Sequence, residues 1–350
     1  EDAARVLKKL YPSTEVWPDI RELDPPEVDV VAGGWPCQDL SIAGQQAGLV
    51  GLQSSLLLDM LRVAVQAKAH TVVAENVPNL LRMRQGNEFQ ASLEAFREAG
   101  FPNVAWRILN AREFGLPQNR ARVLLIASKD EQVALTLFRD LPKLPKKSIE
   151  DSLKEKAAGF YWTAGTHSIN YSMGYVPTIK VGSSLDIPSP PAVHYDDVVR
   201  KISPTEALAL QGFDLAMELF QSPGNAYKAA GNAVAKPIGR WVMDGLAEAE
   251  SVEPPEWLPV QGELWSESIP RDGYPTVGMW SDNVIQAAVV RENEKATNLY
   301  SFLDHSNTER LSVRASSGLL RRLDRSGHVC PPDLRHLLEE LALSEMEAVD

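Results

Sequence analysis

The strongest constraint on the fold of this chain is an alternation of apolar and amphipathic segments between about residues 28 and 128. The apolar runs VDVVAGG, HTVVAENV, WRILNA and ARVLLIAS are predicted β-strands, and SSLLLDMLRVAVQAKA and NEFQASLEAFREAG have the apolar spacing of helices. Strands that alternate with helices indicate an α/β fold with an open, largely parallel sheet. In such sheets ligands collect at the carboxyl ends of the strands.

The alternation ends at residue 129 and defines four regions. Residues 1–128 are predicted to form the first part of the sheet domain, and residues 129–199, rich in Gly, Ser, Pro and aromatics, an irregular inserted module. Helical spacing over residues 200–250 returns the chain to the sheet domain. The proline-rich stretch ESVEPPEWLP then opens a C-terminal extension, residues 251–350, which is predicted to end in two short helices.

Composition excludes several classes of protein. A net charge of -12 argues against a protein that coats nucleic acid nonspecifically. It does not exclude a DNA enzyme, because a local basic lining can lie on an acidic protein. No apolar run is long enough to predict a membrane span. The two cysteines, Cys37 and Cys330, provide no disulfide framework and indicate a reducing cytoplasm. The six histidines lack metal-ligand spacing, so no metal is expected.

Cys37 stands at the end of an apolar run, in VVAGGWPCQDLSIAG. Pro36 fixes the preceding backbone, and Gly33 and Gly34 allow a substrate to approach the main chain closely. A free thiol has a pKa of about 8.5 and needs local electrostatic help to become a nucleophile. This stretch alone is compatible with a catalytic cysteine and with a buried cysteine at a strand end.

Charged residues flank two other predicted strands. Glu75 ends the strand in AENVPN, on the same sheet edge as Cys37, where a carboxylate needs a hydrogen-bond partner or a substrate. In GLPQNRARVLLIA, Arg120 and Arg122 share one face of a strand and could bind phosphate or a carbonyl oxygen. The alternatives are a helix-capping or salt-bridged acid and a solvated edge strand.

Five segments occur in a fixed order, namely GGWPCQDLS, AENVPN, FGLPQNRARVLLIA, SPTEALALQGF and AYKAAGNAVAKPIGRW. Over about residues 18–241, they closely resemble the DNA (cytosine-5)-methyltransferases, the modification enzymes of bacteria and phages. The resemblance implies a Rossmann-like sheet of an S-adenosylmethionine-dependent methyltransferase, with a small irregular target-recognition module and a C-terminal helical extension. It also implies methyl transfer to carbon 5 of a cytosine flipped out of duplex DNA, through a covalent adduct of Cys37 at carbon 6.

The resemblance assigns roles to individual residues. Glu75 matches the acid that engages ring N3 and the exocyclic amine, and Arg122 matches the residue that holds O2. Arg120 lies on the same face near the nucleophile and is expected to be catalytic with Cys37, Glu75 and Arg122. The methyl donor, S-adenosylmethionine, is expected against Asp19, Ile20, Pro36, Leu56 and Asn232. DNA contacts are expected from Gln38, Ser41, Gln118 and Thr178, with Lys180, Arg200 and Lys201 as further positive charge. Asn76 is expected to tie the strand of Glu75 to the Pro36–Cys37 turn.

Two features depart from the family pattern. The chain lacks the glycine-rich turn and the following acidic residue that bind the methyl donor, which predicts an N-terminally truncated sequence that binds S-adenosylmethionine poorly and is of low activity. Gln53 replaces an arginine of the mobile loop over residues 38–55, so slower loop closure is expected.

Substrate and partners follow from the same resemblance. A cytosine-5 methyltransferase of transfer RNA and a catalytically impaired DNA-binding relative are the alternatives, and the inserted module and the intact Cys37 and Glu75 favour a DNA enzyme. A cytoplasmic monomer of bacterial or phage origin is expected, with a cognate restriction endonuclease acting on the same site as a possible partner. The basic segment LSVRASSGLLRRLDRSG either contacts DNA or packs on the core, and packing is favoured.

Overall fold

A computed structural model describes residues 2–36, 56–144, 157–163, 168–180, 189–248, 252–253, 277–281, 284–288 and 298–343. The predicted site residues Cys37, Gln38 and Ser41, together with Gln53, lie outside these ranges. Within them, no helix is long and apolar enough to cross a membrane.

Six strands form a central sheet in the order β1-β2-β5-β3-β11-β12. They are β1 (Val30–Gly34), β2 (Thr71–Asn76), β3 (Asn103–Asn110), β5 (Ala121–Ser128), β11 (Val277–Ser281) and β12 (Val284–Ala288). The last two strands come from the C-terminal extension, where only helices were predicted. β11 pairs with β3, so this part of the extension belongs to the central sheet.

The prediction of a largely parallel sheet is wrong. Only β1 and β2 run parallel, and the other neighbouring strands of this sheet are antiparallel. β3 is joined to β5 by residues 111–120, a connection that contains one short 3-10 helix and the two-residue strand β4 (Gln118–Asn119). A parallel pairing needs a longer crossover, usually through an α-helix, so the chain turns back instead and β5 lies between β2 and β3.

Helices pack on both faces of the central sheet. Leu57 and Phe89 pack with Val72 on one face, whereas Val73 packs with Trp241 on the other. The alternation of Val72 and Val73 follows from the two-residue period of a strand. The α-helices of the described residues are α1 (Asp2–Leu10), α2 (Leu56–Gln66), α3 (Asn87–Glu98), α4 (Glu131–Leu135), α5 (Pro204–Ala209), α6 (Pro223–Asn232), α7 (Lys236–Glu248), α8 (Val313–Ser326) and α9 (Pro332–Leu343). The predicted α/β class is confirmed.

The inserted module contains an antiparallel sheet of four short strands, in the order β10-β9-β6-β7. They are β6 (Ala158–Phe160), β7 (Ser172–Met173), β9 (Ala192–Tyr195) and β10 (Val198–Lys201). A further strand, β8 (Val176–Pro177), pairs in parallel with β4 and so joins the module to the segment that leads into β5. The module is therefore more regular than its sequence suggested.

The two faces of the module sheet are covered by different helices. Val193 packs with Leu208 and Ala226 of α5 and α6, and Val199 packs with Leu319 of α8 and Leu338 of α9. The two C-terminal helices that the sequence predicted are thus present. The favoured interpretation of the basic segment, packing on the core, is confirmed for the apolar face of α8.

Candidate active site

The carboxyl end of β2 lies beside the carboxyl end of β1. Gly34 pairs with Glu75 in the parallel ladder, and a Cβ at Gly34 would come within 3.2 Å of Glu75 Oε2. The glycine therefore leaves room for this carboxyl. The amide of Asn76 donates from Nδ2 to the carbonyl of Trp35 at 2.9 Å, which confirms the expected tie between the two strand ends.

β1 leads to Pro36, which is exposed at the same end of the sheet, and Cys37 follows directly in the sequence. The two strand ends that precede Cys37 and include Glu75 are thereby brought together. The position of the thiol itself lies outside the described residues.

Glu75 forms an ion pair with Arg122. The Nε atom of Arg122 lies 2.7 Å from Glu75 Oε1, and the two side chains are only 12% and 19% exposed. Burial raises the pKa of the Glu75 carboxyl, although the charges of Arg122 and Arg120 act in the opposite direction. Burial likewise lowers the pKa of Arg122. A carboxyl in this setting holds its proton to higher pH than an exposed glutamate does.

Arg120 has a different environment from Arg122. Its guanidinium is buried and donates to the carbonyls of Gly231 at 2.9 Å, Ala233 at 2.7 Å and Ile179 at 3.3 Å. Burial lowers the pKa of Arg120 to about 9, and the neighbouring charge of Arg122 adds to this effect. The arrangement suits a positioning residue that connects the start of β5 to the end of α6 and to the module.

Gln118 and Thr178 lie where the module meets the central domain. Gln118 is fully buried, donates to the carbonyl of Leu210 at 2.9 Å and accepts from the amide of Ile179 at 3.1 Å. These bonds give Gln118 a structural role in place of the expected DNA contact, because none of its surface is exposed. Thr178 is partly exposed and donates from Oγ1 to the carbonyl of Asn119 at 2.6 Å.

Tyr161 is a site residue that the sequence analysis missed. Its hydroxyl donates to the carbonyl of Thr178 at 2.6 Å, and Lys180 Nζ lies 4.0 Å from the centre of its ring. Burial raises the pKa of Tyr161 to about 12, against the opposing charges of Arg122 and Arg120. Tyr161 therefore links the hinge of the module to the charged cluster. The aromatic run FYW was the available signal.

The expected charge of the module is only partly available to DNA. Lys180 and Lys201 are exposed. Arg200 is fully buried and forms a two-pronged ion pair with Glu206, through Nη1 at 2.8 Å and Nη2 at 2.7 Å. The expectation that Arg200 supplies charge to DNA is therefore wrong, because its charge is neutralised inside the protein.

The residues expected around the methyl donor offer both apolar and main-chain surface. Leu56 and Pro36 expose apolar surface near β1, and the main chain of β1 is itself exposed at Gly33 and Gly34. Met60 Sδ would lie 3.0 Å from a Cβ at Gly33, so the side chain of Met60 lies against this glycine and a larger residue there would displace it. Exposed apolar side chains beside open main chain fit a flat purine ring.

The polar residues expected at the donor site differ in availability. Both oxygens of Asp19 accept from Arg21, with Nη2 at 2.6 Å from Oδ2, and these hydrogen bonds lower the pKa of Asp19 to about 2. Ile20 packs against the core of the central sheet. Asn232 is exposed at the end of α6. An anionic Asp19 and an accessible amide at Asn232 are compatible with a polar, cationic ligand.

Acidic, histidine and cysteine side chains do not gather into a metal-binding group anywhere in the part of the chain that the structure describes. The described site contains the carboxyl of Glu75, the guanidiniums of Arg120 and Arg122 and the phenol of Tyr161.

Comparison with known proteins adds independent information. The profile of the family described as C-5 cytosine-specific DNA methylase matches residues 1–172. Type II methyltransferase M2.BsuMI of Bacillus subtilis (strain 168) is 32% identical over an alignment of 352 positions that covers 93% of this chain and 86% of that protein. Type II methyltransferase M.NlaX of Neisseria lactamica is 30% identical over an alignment of 254 positions that covers 65% of this chain and 79% of that protein. The crystal structure of S. pombe Dnmt2 methyltransferase matches with a TM-score of 0.48 and 15% identity, covering 70% of this chain and 88% of that one.

Proposed function

This chain belongs to the family of C-5 cytosine-specific DNA methylases and is a DNA (cytosine-5)-methyltransferase, and from that premise we propose how its residues perform the reaction. The target cytosine is flipped out of duplex DNA, Cys37 adds to carbon 6, and carbon 5 then takes the methyl group. The observation that carries the proposal is the Glu75–Arg122 ion pair, at the end of the strand that lies beside the approach to Cys37.

The covalent step solves a chemical problem of the substrate. Carbon 5 of cytosine is a poor nucleophile, and bond formation between the thiolate sulfur and carbon 6 moves the electrons of the 5,6 double bond towards carbon 5 and the ring. The negative charge that develops on the ring is neutralised by a proton at N3. We assign that proton to Glu75, because this carboxyl lies at the strand end beside the approach to Cys37. Burial, which raises the pKa of Glu75, favours this role.

Arg122 has two functions in this scheme. Its Nε atom orients Glu75 through Oε1, and Nη1 donates to the carbonyl of Ala121 at 2.8 Å. Nη2 makes no hydrogen bond within the described ranges and is the donor for O2 of the cytosine. Donors that are fixed before the base arrives stabilise developing charge without reorganising.

S-adenosylmethionine supplies the methyl group when it is bound. Ile20, Pro36 and Leu56 are the residues that we assign to its apolar surface, and Asp19 and Asn232 to its polar groups. After the transfer, the proton of carbon 5 passes to a water molecule, and the electrons of that C–H bond restore the 5,6 double bond. The bond between Cys37 and carbon 6 breaks with its electron pair on sulfur, and the N3 proton returns to Glu75, which regenerates the thiolate and leaves 5-methylcytosine.

Thr178, Gln38 and Ser41 are proposed to contact the DNA backbone, and residues 129–199 to select the target site. The inserted module supports duplex DNA over transfer RNA as the substrate. Relatives that are type II methyltransferases support a bacterial or phage modification role, with a cognate endonuclease acting on the same site. We place the enzyme in the cytoplasm as a monomer.

Bisulfite sequencing of DNA from a host that expresses the full-length gene tests this function. Methylated cytosines at one recurring short sequence are the expected result, and the Cys37→Ser variant should leave the same positions unmethylated. Unmodified host DNA, with methylated transfer RNA in its place, would contradict the choice of substrate.

A further inference from the structure

The solvent-facing side of α8 carries a line of three arginines. Arg314, Arg321 and Arg325 are all exposed, and among the residues that the structure describes none of them makes a hydrogen bond or ion pair. A helix turns about 100° per residue, so positions separated by seven and eleven residues lie within about 40° of one another. The three guanidiniums therefore form one row, the arginine stripe, along about 16 Å of the helix.

The stripe is held in a fixed orientation by the opposite side of α8. Leu319 and Leu323 are buried in the cluster that includes Phe160 of the module sheet. Arg322 donates from Nη2 to the carbonyl of Trp162 at 2.6 Å, and Ser312 caps the start of the helix. The arginine stripe thus points to solvent because the apolar side of the helix is committed to the module.

A short piece of chain connects this helix to the candidate active site. The hydroxyl of Tyr161 bonds to Thr178, and the nearby charge of Arg122 acts on the pKa of Tyr161. Trp162 follows Tyr161 directly and bonds to Arg322. The module that is proposed to read the target site therefore carries the arginine stripe as part of the same packed unit.

The chemistry of the stripe favours a polyanion with regularly spaced charges. Ser317 and Gly318 lie between the arginines, so no large apolar side chain protrudes from this face. Protein interfaces usually need an aromatic or aliphatic anchor at their centre. Guanidinium groups suit phosphates, and a protein of net charge -12 needs local positive charge to hold DNA.

We propose that Arg314, Arg321 and Arg325 contact the sugar–phosphate backbone of the duplex that flanks the target site. The choice of DNA as the polyanion rests on the proposed function. The presence of the arginine stripe does not depend on that function. The C-terminal extension thereby enlarges the footprint of the enzyme on DNA. Because phosphate contacts carry no sequence information, the stripe contributes affinity and leaves target choice to the module.

The test is the salt dependence of binding to a duplex without a target site, measured by fluorescence anisotropy with the full chain. Each phosphate contact contributes about 0.9 to the slope of log K against log salt. The triple variant Arg314→Gln, Arg321→Gln, Arg325→Gln should lower that slope by about 2 to 3, with an unchanged melting temperature.

A matched control removes the same charge elsewhere. Lys68 and Lys129 lie at the end of the central sheet opposite Glu75, and Arg240 is exposed on α7. Their triple substitution to glutamine should leave the slope within about 1 of wild type. An unchanged slope in the stripe variant, or an equal loss in the control, would overturn the proposal. An unchanged slope in the stripe variant would also be found if the arginine stripe bound an acidic protein instead of DNA.

This experiment separates the inference from the proposed function. A host whose DNA stays unmethylated would reject the function while a lowered slope in the stripe variant still supports the surface. A methylating enzyme whose stripe variant keeps the wild-type slope would reject the surface alone.

Discussion

Replacing Glu75 by glutamine separates the chemistry of this carboxyl from its role in the fold. The substitution keeps the shape of the side chain and an oxygen for the 2.7 Å contact with Arg122 Nε, and it removes only the charge and the acidic proton. Burial raises the pKa of Glu75, whereas the charges of Arg122 and Arg120 favour its ionised form. Glutamine keeps an oxygen for Arg122 but leaves the buried guanidinium without a counter-charge, so we expect the free energy of unfolding to fall by about 1 to 3 kcal/mol.

The effect on the reaction should be larger still, and it is measured on the folded enzyme. A positioned acid or base contributes about 10²- to 10⁴-fold to a rate, which corresponds to about 3 to 5 kcal/mol in activation free energy. The assay is the initial rate of methyl transfer to duplex DNA by the full-length gene product, together with urea unfolding of the same preparations.

Glu88 offers a matched control on α3. Its side chain is 2% exposed, it pairs with Arg84 Nε at 3.1 Å, and burial raises its pKa as well. Glu88→Gln should leave the rate within about twofold of wild type, a difference of less than 1 kcal/mol. A Glu75→Gln enzyme with the wild-type rate, or an equal loss in Glu88→Gln, would refute the assignment of Glu75 as the proton-holding group.

Two further predictions follow from the site. Arg122→Gln removes a charge that lowers the pKa of Glu75, so this pKa should rise further. The fall of the methylation rate at high pH should then occur at a higher pH than in wild type. A pH–rate profile identical to that of wild type would contradict the pairing of Arg122 with Glu75. Asn76→Ala removes the buried hydrogen bond to the carbonyl of Trp35, and in urea titrations it should lower the free energy of unfolding by about 1 to 2 kcal/mol. Asn79 is exposed, and Asn79→Ala is the control. Equal losses in the two variants would reject the structural role of the Asn76–Trp35 bond.

The raised pKa of Glu75 also sets the sign of a stability difference. A carboxyl whose pKa is higher in the folded state contributes stability below its unfolded value of 4.5, and this contribution is lost as pH rises through the folded-state pKa. The unfolding free energy of wild type, relative to Glu75→Gln, should therefore decrease as pH rises from about 4.5. A difference that increases over that range would show that the Arg122 pair outweighs desolvation.

The parts of the site that could be predicted from sequence depend on short-range patterns. The strand end at Glu75, its neighbour Asn76 and the two-residue spacing of Arg120 and Arg122 are local features, and the parallel pairing of β1 and β2 brings the strand ends together. Local patterns carry this information because the period of a strand and the position of a turn are set within a few residues.

The parts that could not be predicted depend on distant partners. Arg120 bonds to Gly231 and Ala233, and Gln118 bonds to Leu210, about a hundred residues further along the chain. No local pattern distinguishes a buried arginine that holds main-chain carbonyls from one that faces a substrate. The antiparallel direction of β5 was missed for a related reason, because apolar strands have the same composition in either direction.

In the inserted module, too, contacts that form only in the folded chain could not be predicted from the sequence. Arg200 looked like an available charge in the sequence, but Glu206, six residues away on α5, neutralises it inside the core. Tyr161 lies in a stretch with no periodicity, and its contact with Thr178 exists only because the hinge folds back on β6.

The central claim is that the sulfur of Cys37 adds to the cytosine ring beside Glu75. It is tested most directly by intact-mass and peptide analysis of the full-length gene product, after incubation with S-adenosylmethionine and duplex DNA that carries 5-fluorocytosine at the target. A stable adduct is expected on the peptide that contains Cys37. It should be absent from the Cys37→Ser variant and much reduced in the Glu75→Gln variant. An adduct that survives Cys37→Ser, or one found on Cys330, would contradict the central claim.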